Sequence, residues 1–133
     1  MILDTSALLA ILLLEPEASS FARMIEESSV TRLSVASYLE AAILVERRGD
    51  AVRRAMFDTF VQDFGIRLEP VTVPQIHLAH SAYRLYGKGM HRAALNYGDC
   101  FSYALARSTR EPLLFKGNDF GLTDITPALT ART

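Results

Sequence analysis

The chain has 133 residues, half of them apolar, 22% charged and 9% aromatic, a composition that predicts one compact domain over residues 1–133 and excludes disordered, collagen-like and disulfide-scaffold classes. Fourteen basic and 15 acidic side chains give a formal charge of −1, which excludes a general electrostatic affinity for nucleic acid or anionic membranes. A lone cysteine, Cys100, staples nothing and predicts a reducing, cytoplasmic setting.

Met1 to Asp4 reads as a short buried strand running into a helix that begins at Thr5-Ser6-Ala7 and stops before Glu15-Pro16. Its apolar run, Ala7 to Leu14, is eight residues long, far short of the about 20 that a membrane span needs. No Lys or Arg precedes Arg23, so the run lacks the basic flank of a signal peptide, and the chain is expected to be mature and soluble, with no membrane partner. Glu17 to Ser28 sets Phe21, Met24 and Ile25 at helical spacing, and Thr31 to Ser34 reads as a second strand. Val35 to Arg48 is an apolar helix ended by Gly49, and Asp50 to Gly65 opens on a capping Asp and closes on Gly. The first half of Ile66 to Val73 is a third strand. Pro74 to Tyr86 is a helix with Pro near its first position, and Gly87 and Gly89 flank an exposed basic turn. Asn96 to Arg110 is a further helix, Leu113 to Phe115 a fourth strand, and Thr123 to Ile125 a fifth before a loose tail.

Strands alternating with helices predict an α/β, three-layer sandwich: a small parallel sheet between helices, with right-handed crossovers. Ligands in such sheets bind beyond the carboxyl ends of the strands. The residues expected at that edge are acidic. Asp4 ends strand one, Glu40 lies in the helix leaving strand two, Asp99 opens the helix leading into strand four, and Asp119 follows strand four. Glu40 has Ala36, Ile43 and Leu44 as its same-face neighbours, an apolar face on which a carboxylate needs a partner. Each acid also has a bland reading. Asp4 fits a helix N-cap, Ser37-Tyr38-Leu39-Glu40 and Asn96-Tyr97-Gly98-Asp99 fit capping boxes, and Asp119 fits a turn. Capping does not explain four acids at one sheet edge with no Lys or Arg within two residues of Asp4, Glu40 or Asp99. Converging carboxylates repel, and a hard divalent cation with oxygen ligands is the usual remedy, so the constellation reads as a metal site for phosphoryl chemistry.

Charge is unevenly spread. Residues 1–31 carry one Arg against five acids, whereas residues 84–116 carry six basic side chains against two acids. Arg84, Lys88 and Arg92 stand at i, i+4 and i+8. They form one stripe if the helix persists past Gly87, or crown a loop if it stops there, and either geometry offers phosphates a landing site. Other motifs carry less. His77 and His80 lack a third zinc ligand nearby in sequence, Cys100 reads as a small core residue, Gly87-Lys88-Gly89 lacks the spacing of a P-loop, and the tyrosines fit partial burial as well as base stacking.

Ile2-Leu3-Asp4-Thr5-Ser6-Ala7-Leu8, Leu33-Ser34 followed by Glu40, the run from Leu95 through Asp99 to Ala106, and Leu113 through Asn118-Asp119-Phe120 to Thr123-Asp124-Ile125 together resemble the PIN-domain ribonuclease toxins of the VapC type. The resemblance covers nearly the whole chain in order. It implies a metal-dependent endoribonuclease whose acidic tetrad is Asp4, Glu40, Asp99 and Asp119, with Mg²⁺ or Mn²⁺ held most directly by Asp4 and Asp99. It also implies an RNA substrate, a homodimer, and a VapB-type antitoxin seated by analogy along Leu8 to Leu14 and Phe21 to Ile25. Thr5, Ser6, Asn96 and Asn118 are candidates to support the carboxylates. Where many members carry two adjacent Asp in the last motif, this chain has Asn118 before Asp119. A second reading keeps the fold without the chemistry: a PIN-like interaction module whose acidic pocket binds a partner's Arg.

Overall fold

The computed structural model describes residues 1–129. Four parallel strands, β1 (Ile2–Leu3), β2 (Arg32–Ser34), β3 (Arg67–Glu69) and β4 (Leu113–Leu114), form one sheet in the order β3-β2-β1-β4. Around it lie α1 (Thr5–Leu12), α2 (Ala18–Glu27), α3 (Val35–Arg48), α4 (Ala51–Asp63), α5 (Val73–Tyr86) and α6 (Tyr97–Thr109).

The alternation of a strand decides which helices cover which face. Leu3 and its register partner Leu114 pack with Leu8, Phe21, Val45 and Phe60 from the α1–α4 side, whereas Ile2 and its partner Leu113 pack with Ala82, Leu95, Tyr103 and Leu105 from the α5–α6 side. That is the three-layer α/β sandwich expected from the alternation of elements. Capping sets the helix starts: Asp50 accepts the amides of Val52 and Arg53 to open α4, Thr72 caps α5 with Pro at its start, and Gly49 closes α3 at φ 70°.

The expected fifth strand does not form. Thr123 donates its hydroxyl to the Phe120 carbonyl and accepts the Ile125 amide, so local side-chain bonds remove a backbone donor from the ladder, and Phe120–Leu122 forms a short 3₁₀ turn instead. The sheet gains a single parallel bridge two residues later, between Leu113 and Pro127. Residues 130–133 of the expected loose tail lie outside the described residues. Helix α5 ends at Tyr86, and Gly87 pairs with Leu95, so the stripe geometry of the basic residues is ruled out: Lys88 and Arg92 crown a closed turn and Arg84 sits on the last turn of α5. No helix among the described residues is long and apolar enough to cross a membrane.

Candidate functional site

Parallel strands bring their carboxyl ends to one edge, and the elements leaving or entering there deliver the acids. Asp4 follows β1 and caps α1. Its Oδ2 accepts the amide (3.0 Å) and hydroxyl (2.6 Å) of Ser6, and its Oδ1 accepts the Ser102 hydroxyl at 2.5 Å. The Ser102 hydroxyl lies 3.2 Å from the Ser37 hydroxyl, and the Thr5 hydroxyl donates to the Ser37 carbonyl, so the first turns of α1 and α3 and the second turn of α6 are tied together around Asp4. Helix α3 starts directly after β2 and is capped by Ser34, which accepts the Ala36 amide. Ser37 is therefore inside the helix, no capping box engages Glu40, and its carboxylate is left for other work. Asp99 does both jobs. Asn96 and Asp99 form the reciprocal capping box of α6, with the Asp99 amide on Asn96 Oδ1 at 2.9 Å and the Asn96 amide on Asp99 Oδ2 at 3.0 Å. Asp119 precedes the 3₁₀ turn, exposed and without a side-chain cap bond.

The four charges sense one another. Burial, followed by the charges of Asp4, Asp119 and Glu40, pushes the Asp99 carboxyl up to about 6, against one opposing hydrogen bond from Asn96. Burial also raises Glu40, with Asp4 adding to the shift and the nearby Thr5 hydroxyl opposing it. Ion pairing separates these acids from the rest. Among the described residues, Glu15 and Glu17 pair with Lys116, Glu69 with Arg32, and Glu111 with Arg32 and the Met1 amine. Asp4, Glu40 and Asp99 are the buried or half-buried acids with no cationic partner. Still, no three His, Cys, Asp or Glu side chains among the described residues stand grouped as a preformed metal cage.

Two contributors escape the sequence reading. Ser102 is 1% exposed in the otherwise apolar run from Cys100 to Ala106, and a polar residue there implied a buried partner, which is Asp4. Gly98 is the other. A Cβ at that position would stand 2.1 Å from Glu40 Oε2, so the absence of a side chain is what admits the Glu40 carboxylate beside the start of α6. No local pattern signals this, because Gly98 has an ordinary φ.

Comparison with known proteins fits this arrangement. A family profile described as PIN domain matches residues 1–125. Ribonuclease VapC28 of Mycobacterium tuberculosis is 47% identical over 133 residues, covering 99% of this chain and all of that protein. The chain belongs to the VapC-type PIN-domain ribonuclease family. Ribonuclease VapC of Mycolicibacterium smegmatis is 48% identical over 94% of this chain and 97% of its own length. The crystal structure of Mycobacterium tuberculosis VapC20, a sarcin-ricin loop cleaving toxin, shares the fold with a TM-score of 0.74 at 17% identity, covering 94% of this chain and 95% of that one.

Three expectations change on this PIN domain. Leu8, Leu12, Phe21 and Ile25 are core residues, each at most 3% exposed, so they offer an antitoxin little surface; in the two stretches Leu14 and Arg23 are exposed, and Phe21 only edges a groove. The apolar neighbours of Glu40 are not core: Ile43 and Leu44 are exposed, as is Leu39, so Glu40 stands at the edge of a solvent-facing apolar strip. Asn118 makes no side-chain hydrogen bond among the described residues, to a carboxylate or otherwise, and lines a groove with Phe21, Lys116 and Leu122. Cys100 is the core residue expected: burial, then the Asp99 charge, pushes its thiol up to about 11.

Proposed function

We propose that this chain is a divalent-metal-dependent endoribonuclease, the toxin of a VapBC-type pair, with Asp4, Glu40, Asp99 and Asp119 as its catalytic acids. The observation that carries the reading is the pairing asymmetry: among the described residues the other buried or half-buried acids have cations, whereas Asp4, Glu40 and Asp99 have none. The donor set is all hard oxygen, which fits Mg²⁺ or Mn²⁺. Asp4 and Asp99, with Glu40 and Asp119 alongside, would hold such an ion, which would supply positive charge for an RNA phosphate and acidify a water.

The protein's own groups prepare that step. Ser6 and Ser102 occupy opposite oxygens of Asp4 and fix its plane. Burial and the neighbouring carboxylates push the Asp99 carboxyl up to about 6 in the metal-free chain, so a divalent cation and a proton compete for it, and the cation would favour its ionised form. Arg84, Lys88 and Arg92, exposed and unpaired among the described residues, hold the RNA backbone. A VapB-type antitoxin neutralises the site by inserting Arg beside the carboxylates. A second copy covers the apolar strip of α3, giving the homodimer, and the toxin works in the cytoplasm.

The deciding experiment uses the chain freed of any copurifying partner. It is expected to cleave single-stranded RNA with Mg²⁺ or Mn²⁺, to stop with a chelator and to resume on metal addition. Metal binding without cleavage would favour the interaction-module reading, in which the pocket only receives a partner's Arg.

Ser102→Ala is expected to weaken Mn²⁺ binding, measured by titration calorimetry without RNA, by about 10–100-fold, since it frees one oxygen of Asp4. Asp119→Ala is expected to inactivate, while Asp124→Ala retains cleavage. Asp124 accepts the Tyr103 hydroxyl at 2.7 Å and lies 3.6 Å from Arg107, so its loss lowers stability by about 1–2 kcal/mol, read by denaturant unfolding. The reverse pattern of inactivation would move the fourth acid from position 119 to 124.

A further inference from the structure

The acidic edge handles a phosphate whatever base that nucleotide carries, so selection among bases requires a second contact. A cavity of about 600 Å³ lies between α5 and α6, inside the size range of small-ligand sites, with Tyr83, Tyr97, Phe101, His80, Lys88 and Asn96 among its lining. Its wall is the shoulder of the acidic site: Asn96, whose amide binds the Asp99 carboxylate at 3.0 Å, and Tyr97 and Cys100 on either side of the Gly98-Asp99 pair. A nucleotide with its phosphate at Asp99 therefore has its base beside this opening.

The lining has base-binding chemistry. Tyr97 is 80% exposed, and it meets Phe101 edge to face, with centroids 5.0 Å apart, so the two rings do not stack on each other. Tyr83 is held at the rim by its hydroxyl, which donates to the Lys88 carbonyl at 3.2 Å. The Lys88 ammonium is exposed and has no ion pair among the described residues, so it faces the opening as an uncommitted cation. Asn96 spends its side-chain oxygen on the Asp99 amide, which leaves its NH₂ donors for an acceptor on a base. Aromatic faces, a rim cation and a free amide donor suit an unpaired nucleobase. The neighbouring groove of Leu39, Ile43 and Leu44 shares Tyr97 and Phe101 with this cavity, but its other apolar lining is aliphatic and it has neither a cation nor an amide donor.

We propose that the α5–α6 cavity is the base subsite for the nucleotide next to the scissile phosphate, with Tyr97 as the stacking platform, Tyr83 as the rim and Asn96 as the polar reader. The inference rests on the ribonuclease reading above, and one arm of its test needs no catalysis. The chain has no Trp, so quenching of 2-aminopurine in a short single-stranded RNA, measured in chelator, reports stacking on tyrosine directly. Tyr97→Ala is expected to abolish the quench and weaken binding about 10-fold, while Tyr97→Phe keeps both. In cleavage of a random-sequence RNA pool, Tyr97→Ala flattens the base preference beside the cut. Lys88→Ala keeps the preference and reduces the salt slope of binding by about 0.7. Unchanged quench and preference in Tyr97→Ala would overturn the proposal. So would an altered sedimentation mass in Tyr97→Ala with its base preference intact, which would make the face a contact between copies. A wild-type chain that quenches yet never cleaves would sink the ribonuclease reading and leave the base subsite standing.

Discussion

Replacing Asp99 by Asn is expected to abolish RNA cleavage while leaving the metal-free protein as stable as wild type or more so. The catalytic loss follows from removing the carboxylate that the other three acids surround, and a drop of about 10³-fold or more is in line with losing one central electrostatic group. The stability gain has a definite sign. The Asp99 carboxyl is pushed from its ordinary 3.8 up to about 6 in the folded chain, so the folded state holds that proton more tightly than the unfolded one. Its contribution to stability is complete below about pH 3.8 and is lost as pH rises to about 6, leaving a standing penalty at neutral pH. With allowance for screening at a partly exposed site, the penalty is on the order of 1–2 kcal/mol. Asn keeps an oxygen to accept the Asn96 amide, so the capping box survives while the repulsion is removed. Thermal melts in chelator are expected to show Asp99→Asn above wild type by about 3–6 °C at pH 8, with the gap closing toward pH 4. A variant that melts lower than wild type at pH 8 would mean that Asp99 serves the helix start more than the chemistry.

Gly98→Ala is expected to cost about 10²-fold in cleavage, although the substitution adds one methyl group and puts a better helix former into α6. The methyl carbon would stand 2.1 Å from Glu40 Oε2 and 2.6 Å from its Cδ, so the carboxylate must leave its position. A displaced Glu40 and an absent one are the same defect. Gly98→Ala in a Glu40→Gln background is therefore expected to add little, whereas two independent lesions would multiply. Shortening the acid offers a rescue: Gly98→Ala with Glu40→Asp is expected to cleave faster than Gly98→Ala alone. Full activity in the single variant would show that Glu40 has no fixed role.

Period and punctuation reside in the sequence, and they were enough for the four strands and six helices, the parallel sandwich and the sheet edge where Asp99 senses the charges of Asp4, Asp119 and Glu40. Helix α3 ends where its Gly49 stop implies, because that signal acts within a turn of itself, whereas its start is capped by Ser34 and not by the Ser37 box. Contacts between distant segments are not written in any local pattern. That Ser102 would meet Asp4 across 98 residues, and that Gly98 would make room for Glu40 from another helix, depended on how α1, α3 and α6 converge over the sheet. The same limit explains the misreadings. An apolar stripe looks alike in sequence whether it faces core, as Leu8 and Phe21 do, or solvent, as Leu39 and Ile43 do. A β-branched run such as Thr123 to Ile125 does not reveal that Thr123 will claim the Ile125 amide before the sheet can. Local bonds and periodicities act within a few residues and are legible one segment at a time; the choice of which faces are covered belongs to packing, and only the tertiary structure makes it.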